Sequence, residues 1–289
     1  MKLEKNCPCK VNLLLNILGK RPDGFHELET LIHPVPLWDR LSFSRKGTAI
    51  ELTCSEASLP ADATNLVHRT ASAFMEAARV RDGIRIHLEK QIPLAAGLGG
   101  GSANAAITLL GLNELFGTPL TPEQVHRLAA SLGSDVPFFL QAKPALATGR
   151  GENIEPLDFF PALRGAVFLL IHPGFGVPTA WAYQQLARFP SALAGQPGRA
   201  RKLAQLLRTS TLATAARELY NSLEAPVLEK YPLLAMFQDF FREQGMPVTL
   251  MSGSGSTTFT IAQNESAARQ CAEQAQAKFG RLWTAVIPV

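Results

Sequence analysis

Cysteine is scarce in this sequence. Four of the 289 residues are cysteines, too few and too scattered for a disulfide framework in a chain of this length. Cys7 and Cys9 form a C-x-C pair, but no second Cys or His pair stands at zinc spacing, so we predict reduced thiols. No apolar run approaches the roughly 18–20 residues that a membrane-spanning helix needs. The basic start is followed by an apolar stretch that Asn12 and Asn16 interrupt, which argues against a secretory signal. These absences predict a soluble cytoplasmic protein with no membrane partner.

Charge is also sparse, at 18% of residues against 46% hydrophobic, and this balance excludes disorder as the main state. The net charge of +4 and the pI near 9.0 leave an anionic partner open. The densest cluster of basic residues, at 199–202, is interpreted as a solvated loop rather than a patch that binds a nucleic-acid phosphate backbone. A basic face with aromatic platforms, which a nucleic-acid binder needs, is not visible. We therefore predict no nucleic-acid partner, and a small anionic ligand remains the alternative.

The order of the predicted elements indicates an α+β protein of two domains. Strands dominate the start and helices the middle, and the two then mix without strict βαβ alternation, which disfavours a doubly wound sheet. We place a boundary near residue 155 and predict domains at 1–155 and 156–289. Strands are predicted at 11–18, 41–45, 50–53, 84–88, 166–171, 247–251, 257–261 and 282–287, and helices at 66–78, 103–116, from 122, 178–187, 200–219, 223–244 and 265–279.

Two helix starts carry capping signals. Residues 62–64 offer caps for the helix that begins at Leu66. Thr121 at the N-cap, Pro122 at N1 and Gln124 at N3 start another helix with little ambiguity. By contrast, residues 189–199 are rich in Gly, Pro and Ala and are predicted to form a surface loop.

The strongest local signal is the glycine-rich segment 93–106, PLAAGLGGGSANAA, which follows a predicted strand and precedes an Ala-rich helix. The glycines at 99–101 remove every Cβ that would block a ligand, and their N–H groups and the helix N-terminus favour a phosphate. The alternative is a turn that serves only helix packing, which fits less well with the entropic cost of glycine. A P-loop lysine, a dinucleotide fingerprint, an esterase elbow and the H-R-D signature are all absent, so the common phosphate loops and protein kinases are excluded.

Further segments carry polar residues suited to chemistry. A Gly/Ser turn at 251–258, MSGSGSTT, is weak evidence alone, but beside the first loop it would close the other side of a polyphosphate. Lys10 and Asn12 share one face of a strand, with Val11 on the other, which by itself also fits a solvated edge. Asp135 lies in the turn LGSDVPFF (132–139). It serves there either as a cap or as a partly buried proton acceptor, and the residues alone leave these two even.

These segments, in this order and spacing, resemble the GHMP-type small-molecule kinases over nearly the whole chain. The stretch GKRPDGFHELET (19–30) is similar to family members that act on a cytidine diphosphate ester of methylerythritol. Phosphate loops of this kind are widely shared, whereas DGFHELET and LGSDVPFF are more specific. The resemblance implies a two-domain fold with the active site in the cleft between the domains. It also implies MgATP-dependent phosphorylation of a hydroxyl on that ester, a step of non-mevalonate isoprenoid biosynthesis.

The resemblance implies a role for each matching catalytic residue. Asp135 would be the general base that accepts the hydroxyl proton. Lys10 would hold Asp135 ionised and steady the developing charge, and Asn12 would orient the hydroxyl. Ser102, at the helix start, would contact the β/γ-phosphates or the Mg²⁺.

The resemblance likewise implies the ligand contacts. The cytosine would stack between Phe25 and Tyr183, with His26 reading the base edge. Thr179 and the pair 173–174 would lie on the same substrate-facing segment. The remaining contacts to ATP would be Asn65, Lys90, Pro93, Ala95, Ala96, Gly97, Leu98, Gly99, Gly100, Gly101 and Ala103.

The sequence departs from the family pattern at positions 9 and 25. Cys9 stands where the family often has Ala, and Phe25 where Tyr is common, which keeps the stacking plane and loses a hydroxyl.

A family member acting on homoserine, a mevalonate-type alcohol or a sugar is disfavoured by the stretch 19–30. A binding protein without turnover is disfavoured because Lys10 and Asp135 are present. The partner is a small-molecule substrate, and both a monomer and a homodimer remain open.

Overall fold

The computed structural model describes residues 2–289, which form α-helices and β-strands in an α+β arrangement, as predicted. The chain divides into two compact units, and each unit is built from segments that are separate in sequence. Unit 1 comprises the residues up to Cys9 together with 37–92 and 99–142, and unit 2 comprises 10–36, 93–98 and 143–289. Unit 2 continues through residue 155 without a break. The predicted boundary near residue 155 concerns the two domains of the family and stays a prediction.

The chain passes between the units within two long strands, β1 (Lys2–Lys20) and β2 (His26–Arg45). In unit 1 the end of β2 pairs antiparallel with β4, and β4 pairs parallel with β3. The other elements of unit 1 are β3 (Ile50–Cys54), α1 (Leu66–Ala78), β4 (Ile84–Glu89), α2 (Gly100–Leu115), α3 (Pro122–Leu132) and a 3₁₀ turn (Pro137–Leu140).

Helix α2 is the buried centre of unit 1. It is rich in alanine and buried on most sides, and α1 and α3 pack against it. A Cβ on Gly111 would lie 2.7 Å from the Phe43 ring, so this glycine lets the helix approach β2 closely. Thr121 and Gln124 form the predicted capping box of α3. The predicted cap of α1 at 62–64 is wrong, because the Asn65 side chain accepts the Val67 N–H and is the N-cap.

Unit 2 contains two groups of paired strands. The start of β2 pairs antiparallel with β5, β5 with β6, and β1 pairs parallel with β8. A separate antiparallel sheet has the order β11-β7-β10-β9, and α9 and α10 pack on it. The elements are β5 (Ala145–Gly149), β6 (Asn153–Pro156), β7 (Val167–His172), α4 (Thr179–Gln185), α5 (Pro190–Leu193), α6 (Arg199–Thr209), α7 (Leu212–Ala215), β8 (Tyr220–Asn221), α8 (Glu224–Lys230), α9 (Pro232–Glu243), β9 (Thr249–Met251), β10 (Thr258–Ala262), α10 (Glu265–Phe279) and β11 (Trp283–Pro288).

Several predicted bounds in unit 2 are wrong for local reasons. The helix predicted at 223–244 is two helices, since Pro232 lacks the N–H that a continuous helix needs and instead starts α9. The helix predicted at 200–219 ends at Thr209, and Thr211 caps the short α7. Strands β5 and β6 were not predicted. The predicted loop 189–199 contains α5, and its Gly195 N–H donates to the Ile17 carbonyl at 2.8 Å.

Candidate active site

The N-terminus of α2 is open to an anion. Gly99 is its N-cap with a φ of +70° and makes no side-chain cap bond, so the first N–H groups of the helix are not covered by a capping side chain. Gly101 is exposed, and a Cβ there would meet nothing within 4 Å. Ser102 follows and is half-buried. Aligned N–H groups, the helix dipole and free space are the properties that suit a phosphate group, so this end of α2 fits the phosphates of a nucleotide.

A buried ion pair lies behind this helix start. The carboxylate of Asp39 is fully buried and pairs with the Lys90 ammonium, whose side chain is 5% exposed. Asp39 also accepts the N–H groups of Gln91 and Ile92 at 2.8 and 2.9 Å. A Cβ on Gly100 would lie 3.3 Å from Lys90 Nζ, which places the ammonium directly beneath the first turn of α2. Lys90 therefore has a structural role in the fold, and its contact with ATP stays a prediction.

Two other predicted residues of unit 1 sit at element ends. The Asn65 side chain accepts the Val67 N–H at 2.9 Å and donates to the Pro60 carbonyl at 2.8 Å, so both ends of its amide serve the start of α1. Asp135 is half-buried between α3 and the following 3₁₀ turn, where the Val136 N–H donates to the Gly133 carbonyl. The ATP contact of Asn65 and the proton-acceptor role of Asp135 stay predictions.

In unit 2 the two Gly-rich segments are joined to each other. Ser252 Oγ donates to the Gly97 carbonyl at 3.0 Å, and the Thr257 N–H donates to the Ala96 carbonyl at 3.1 Å. Gly97 has a φ of +76°, and a Cβ there would lie 2.0 Å from the Ser252 carbonyl oxygen. Asn221, which is buried on β8, donates to the carbonyls of Met251 and Gly253 at 2.8 and 2.7 Å. The segment 93–98 is thus held against the Gly/Ser turn by hydrogen bonds, as their proposed pairing requires.

Lys10 and Asn12 lie beside the same turn. The Lys10 N–H donates to the Leu98 carbonyl at 2.9 Å, and its ammonium donates to Asn12 Oδ1. Both side chains are 4% exposed. Gly253 has a φ of +57°, and a Cβ there would lie 3.1 Å from the Gly97 carbonyl oxygen and 3.2 Å from Lys10 Nζ, so a side chain at this position would be strained and crowded. The pair is therefore buried and hydrogen-bonded, and the solvated-edge interpretation is wrong.

The aromatic residues predicted to bind the base all lie in unit 2, and two of them are in contact. The rings of His26 and Tyr183 lie 5.2 Å apart between centroids, at 38°. The Phe25 side chain is 52% exposed, and the Arg150 guanidinium lies 4.7 Å from its ring centroid. Burial, and then the charge of Lys20, lowers the pKa of His26, which favours a neutral imidazole that can both donate and accept.

The rest of the predicted substrate segment lies close to the Gly/Ser turn. Thr179, at the start of α4, is exposed, and its hydroxyl is 2.9 Å from Ser254 Oγ. Pro173 and Gly174 directly follow β7. Among residues 2–289 no group of three or more His, Cys, Asp or Glu side chains is arranged to hold a metal ion. Ser102 stays the predicted protein contact of a magnesium ion.

Asn12 Nδ2 also donates to Thr30 Oγ1 at 2.8 Å. Sequence reasoning missed the residues that contact the predicted ones in this way, namely Thr30, Asp39, Arg150 and Asn221. A signal existed for Asp39, which is a lone acidic residue in the apolar strand segment PLWDRL. Thr30 lies in the stretch 19–30 that was already singled out. Arg150 and Asn221 carry no local signal, because their partners are remote in sequence.

The chain is similar to proteins of known family. The sequence profile of the GHMP kinases N terminal domain matches residues 65–143, and that of the GHMP kinases C terminal domain matches residues 200–281. A 4-diphosphocytidyl-2-C-methyl-D-erythritol kinase of Synechococcus sp. strain JA-3-3Ab is 45% identical over 87% of this chain and 82% of its own. The kinase of the same name from Syntrophotalea carbinolica is 39% identical over 98% and 97%.

Solved structures agree. A crystal structure of 4-(cytidine 5'-diphospho)-2C-methyl-D-erythritol kinase has a TM-score of 0.79 and 35% identity, covering 99% of this chain and all of that one. A homoserine kinase from Cytophaga hutchinsonii shares the fold, with a TM-score of 0.76 at 18% identity over 99% of this chain and 95% of its own.

The chain belongs to the GHMP kinase family. It is a small-molecule kinase, and kinases of this family use ATP. The resemblance and the two-domain α+β fold that the sequence predicted are therefore confirmed. Within residues 2–289, no helix combines the length and apolar character needed to cross a membrane.

Proposed function

We propose that the protein transfers the γ-phosphoryl group of ATP to the 2-hydroxyl of 4-diphosphocytidyl-2-C-methyl-D-erythritol, a step of non-mevalonate isoprenoid precursor biosynthesis. The observation that supports this substrate best is the aromatic group of Phe25, His26 and Tyr183. A cytosine ring stacks on exposed aromatic faces, and a neutral histidine can meet its polar edge. Relatives with this name cover nearly the whole chain.

The proposed chemistry needs positioning and charge neutralisation more than covalent help from the protein. The substrate oxygen forms a bond to the γ-phosphorus while the bond from that phosphorus to the β,γ-bridging oxygen breaks, and ADP leaves. We assign the hydroxyl proton to the carboxylate of Asp135. The ammonium of Lys10 would balance negative charge that develops on the transferred group. Magnesium, when bound with the nucleotide, would neutralise charge on the β- and γ-phosphates.

The nucleotide and the accepting hydroxyl would each meet groups described above. The N–H groups at 100–102 and the Ser102 hydroxyl would hold the β/γ-phosphates. One hydrogen of Asn12 Nδ2 is used by Thr30, and the other would meet the substrate hydroxyl. The segment 93–98 would follow the phosphates, supported by the Gly/Ser turn.

An ADP-release assay across a panel of acceptors tests the substrate. The panel is 4-diphosphocytidyl-2-C-methyl-D-erythritol, homoserine, mevalonate and galactose, each with MgATP. We expect turnover with the cytidine diphosphate ester alone, and release of ADP only with another acceptor would refute the assignment.

A variant at Asp135 tests the mechanism. Asp135→Asn keeps the side-chain shape and removes the proton acceptor, so turnover should fall about 10²- to 10⁴-fold while ATP still binds. The exposed Glu273, on α10, supplies the control Glu273→Gln, which should keep the wild-type rate. A wild-type rate in Asp135→Asn would remove Asp135 from the reaction.

A further inference from the structure

A chain of hydrogen bonds runs from the predicted catalytic lysine to the backbone of its own strand. Lys10 Nζ donates to Asn12 Oδ1, and Asn12 Nδ2 donates to Thr30 Oγ1 at 2.8 Å. Thr30 Oγ1 donates in turn to the Leu14 carbonyl at 2.6 Å. All three side chains are 4% exposed. Thr30 lies on β2, where its backbone pairs with Ala147 of β5, so its position is set by the sheet.

The direction of each bond follows from what each group can donate. A carbonyl oxygen only accepts, so the one hydroxyl proton of Thr30 is given to Leu14. Thr30 Oγ1 can then only accept from Asn12, and it must therefore face the Nδ2 end of the amide. The opposite end, Oδ1, is left facing the ammonium of Lys10, which only donates.

We propose that Thr30 is a positioning residue that fixes the amide of Asn12 in the one orientation that suits both Lys10 and the substrate. The inference rests on the proposed function, since it takes Lys10 and Asn12 as parts of the reaction site. With the amide reversed, Nδ2 would meet the lysine ammonium, donor against donor. Oδ1 would meet Thr30 Oγ1, whose proton is held by Leu14. Both contacts are unfavourable, so the hydroxyl of Thr30 selects the orientation.

A side chain of the same shape that lacks the hydroxyl cannot take over this role of Thr30. In Thr30→Val a methyl group occupies the place of Oγ1, so the side chain still fills its buried site. The Nδ2 end of the Asn12 amide then loses its acceptor. Lys10 would still attract Oδ1, but Nδ2 would lack its fixed partner, and the amide would be free to tilt away from the substrate hydroxyl. A misplacement of about 1 Å in a positioning group can lower a rate about 100-fold.

The test compares Thr30→Val, Thr30→Ser, Asn12→Ala and the double variant Thr30→Val/Asn12→Ala, using the panel acceptor that gives the highest wild-type rate. Thr30→Val should lower kcat about 10- to 100-fold and leave the KM for ATP within about threefold. Thr30→Ser keeps the hydroxyl and should restore kcat to within about threefold of wild type. If Thr30 acts through Asn12, the double variant should be no slower than Asn12→Ala.

A matched control separates positioning from stability. Thr260 lies on β10 in the same unit, is fully buried, and donates its hydroxyl to the Val248 carbonyl. Thr260→Val removes a comparable bond and should lower the melting temperature without changing kcat. Should Thr30→Val not fold, Thr30→Ala removes the same hydroxyl with less bulk and is measured in its place.

The outcomes distinguish this inference from the proposed function. A wild-type kcat in Thr30→Val with an impaired Asn12→Ala overturns the role of Thr30 alone. Additive losses in the double variant also overturn it, because Thr30 then acts on something other than Asn12. A wild-type kcat in Asn12→Ala refutes the proposed role of Asn12 itself, and the inference fails with it.

Discussion

Asn104, near the start of α2, donates a hydrogen bond from its side-chain amide to the carboxylate of Asp39 at 3.0 Å. The same carboxylate pairs with Lys90 and accepts backbone N–H groups just after β4. Asp39 therefore connects residues 91–92, which precede the glycine-rich segment, to helix α2, which follows it. The geometry of the helix start that we propose as the phosphate site depends on these contacts.

Asp39→Asn should destabilise the protein and weaken nucleotide binding. The substitution leaves the Lys90 ammonium buried without its counter-charge, and breaking a buried ion pair in this way costs about 3–5 kcal/mol. Urea unfolding measures this loss, and the KM for ATP should rise because α2 is no longer anchored. An unchanged unfolding midpoint together with an unchanged KM would contradict this account.

The double variant Asp39→Asn/Lys90→Met separates the two roles of Lys90. It removes both charges, so much of the lost stability should return. If Lys90 serves only Asp39, the KM for ATP should recover with stability. If Lys90 also contacts ATP, as the family resemblance implies, the KM should stay high in a well-folded double variant.

Gly101→Ala should move stability and function in opposite directions. A Cβ at Gly101 meets nothing within 4 Å and the position lies in the first turn of α2, so alanine should stabilise the helix by about 0.5–1 kcal/mol. The same methyl group stands where a phosphate would approach, so ATP affinity should fall. Thermal unfolding and ATP titration check the two effects. At the neighbouring Gly100 an added Cβ would lie 3.1 Å from Ile92 Cγ2. Gly100→Ala would therefore also disturb packing, and it is a less clear test. Unchanged ATP affinity in Gly101→Ala would remove this helix start from the phosphate site.

Phe25→Ala should weaken binding of cytidine nucleotides. Loss of one stacking face costs about 1–3 kcal/mol per base, or about 5- to 150-fold in Kd. The matched control is Phe159→Ala, since Phe159 is also an exposed phenylalanine of unit 2, at 56% against 52%. Titration with cytidine diphosphate checks both. An equal Kd in wild type and Phe25→Ala would exclude Phe25 from the base site.

Prediction from the sequence succeeded where the determining interactions are local. The capping box of α3 needs only Thr121 and Gln124, which are three positions apart, and it forms as predicted. Strands β5 and β6 were missed because ALATG has no polar and apolar alternation, and its pairing with residues 28–32 of β2 is set by the sheet.

The supporting networks of the site lie beyond local reasoning for the same reason. Lys10 and Asn12 were chosen from the sequence, but Thr30, which accepts a hydrogen bond from Asn12, is 18 positions away from it. Asp39 meets Asn104 across 65 positions, and Asn221 meets Gly253 across 32. Single-sequence patterns point to candidate residues for the chemistry, whereas the residues that hold those candidates in place become visible only in the fold.

His33 should make the protein less stable in mild acid. Its ring packs among Phe159, Phe160 and Phe168, and within residues 2–289 neither ring nitrogen makes a hydrogen bond of normal geometry. Burial lowers its pKa to about 4, with a small opposing effect of the Pro34 backbone. The unfolded chain takes up a proton below its usual pKa of about 6.5. Stability should therefore fall as the pH drops from about 6.5 to 4, at about 1.4 kcal/mol per pH unit.

His33→Leu should remove this contribution to the pH dependence. Denaturant unfolding at a series of pH values between 7 and 4 measures the slope for wild type and variant. His126→Gln, at an exposed position on α3, is the control and should keep the wild-type slope. The explanation fails if the slope of His33→Leu equals that of the wild type.

Glu224→Gln should stabilise the protein above neutral pH. Glu224 Oε1 accepts both the Met251 N–H at 2.7 Å and Gln238 Nε2 at 2.6 Å, at the entry to the Gly/Ser turn. Burial raises the pKa of this carboxyl to about 7, and these two hydrogen bonds and the charge of Arg242 oppose the shift. The folded protein thus holds a proton that the unfolded chain releases near pH 4.5, so stability is full below about pH 4.5 and is lost as the pH rises through about 7.

Glutamine keeps an oxygen that can accept both hydrogen bonds and has no charge to bury, so the two proteins should differ little at pH 5. At pH 8 the variant should be more stable by about 3 kcal/mol, which urea unfolding at the two pH values measures. The exposed Glu273→Gln should show no such difference. If variant and wild type are equally stable at pH 8, burial does not destabilise the Glu224 carboxylate. The hydrogen bond from Glu224 to Met251 would then not make stability depend on pH in this range.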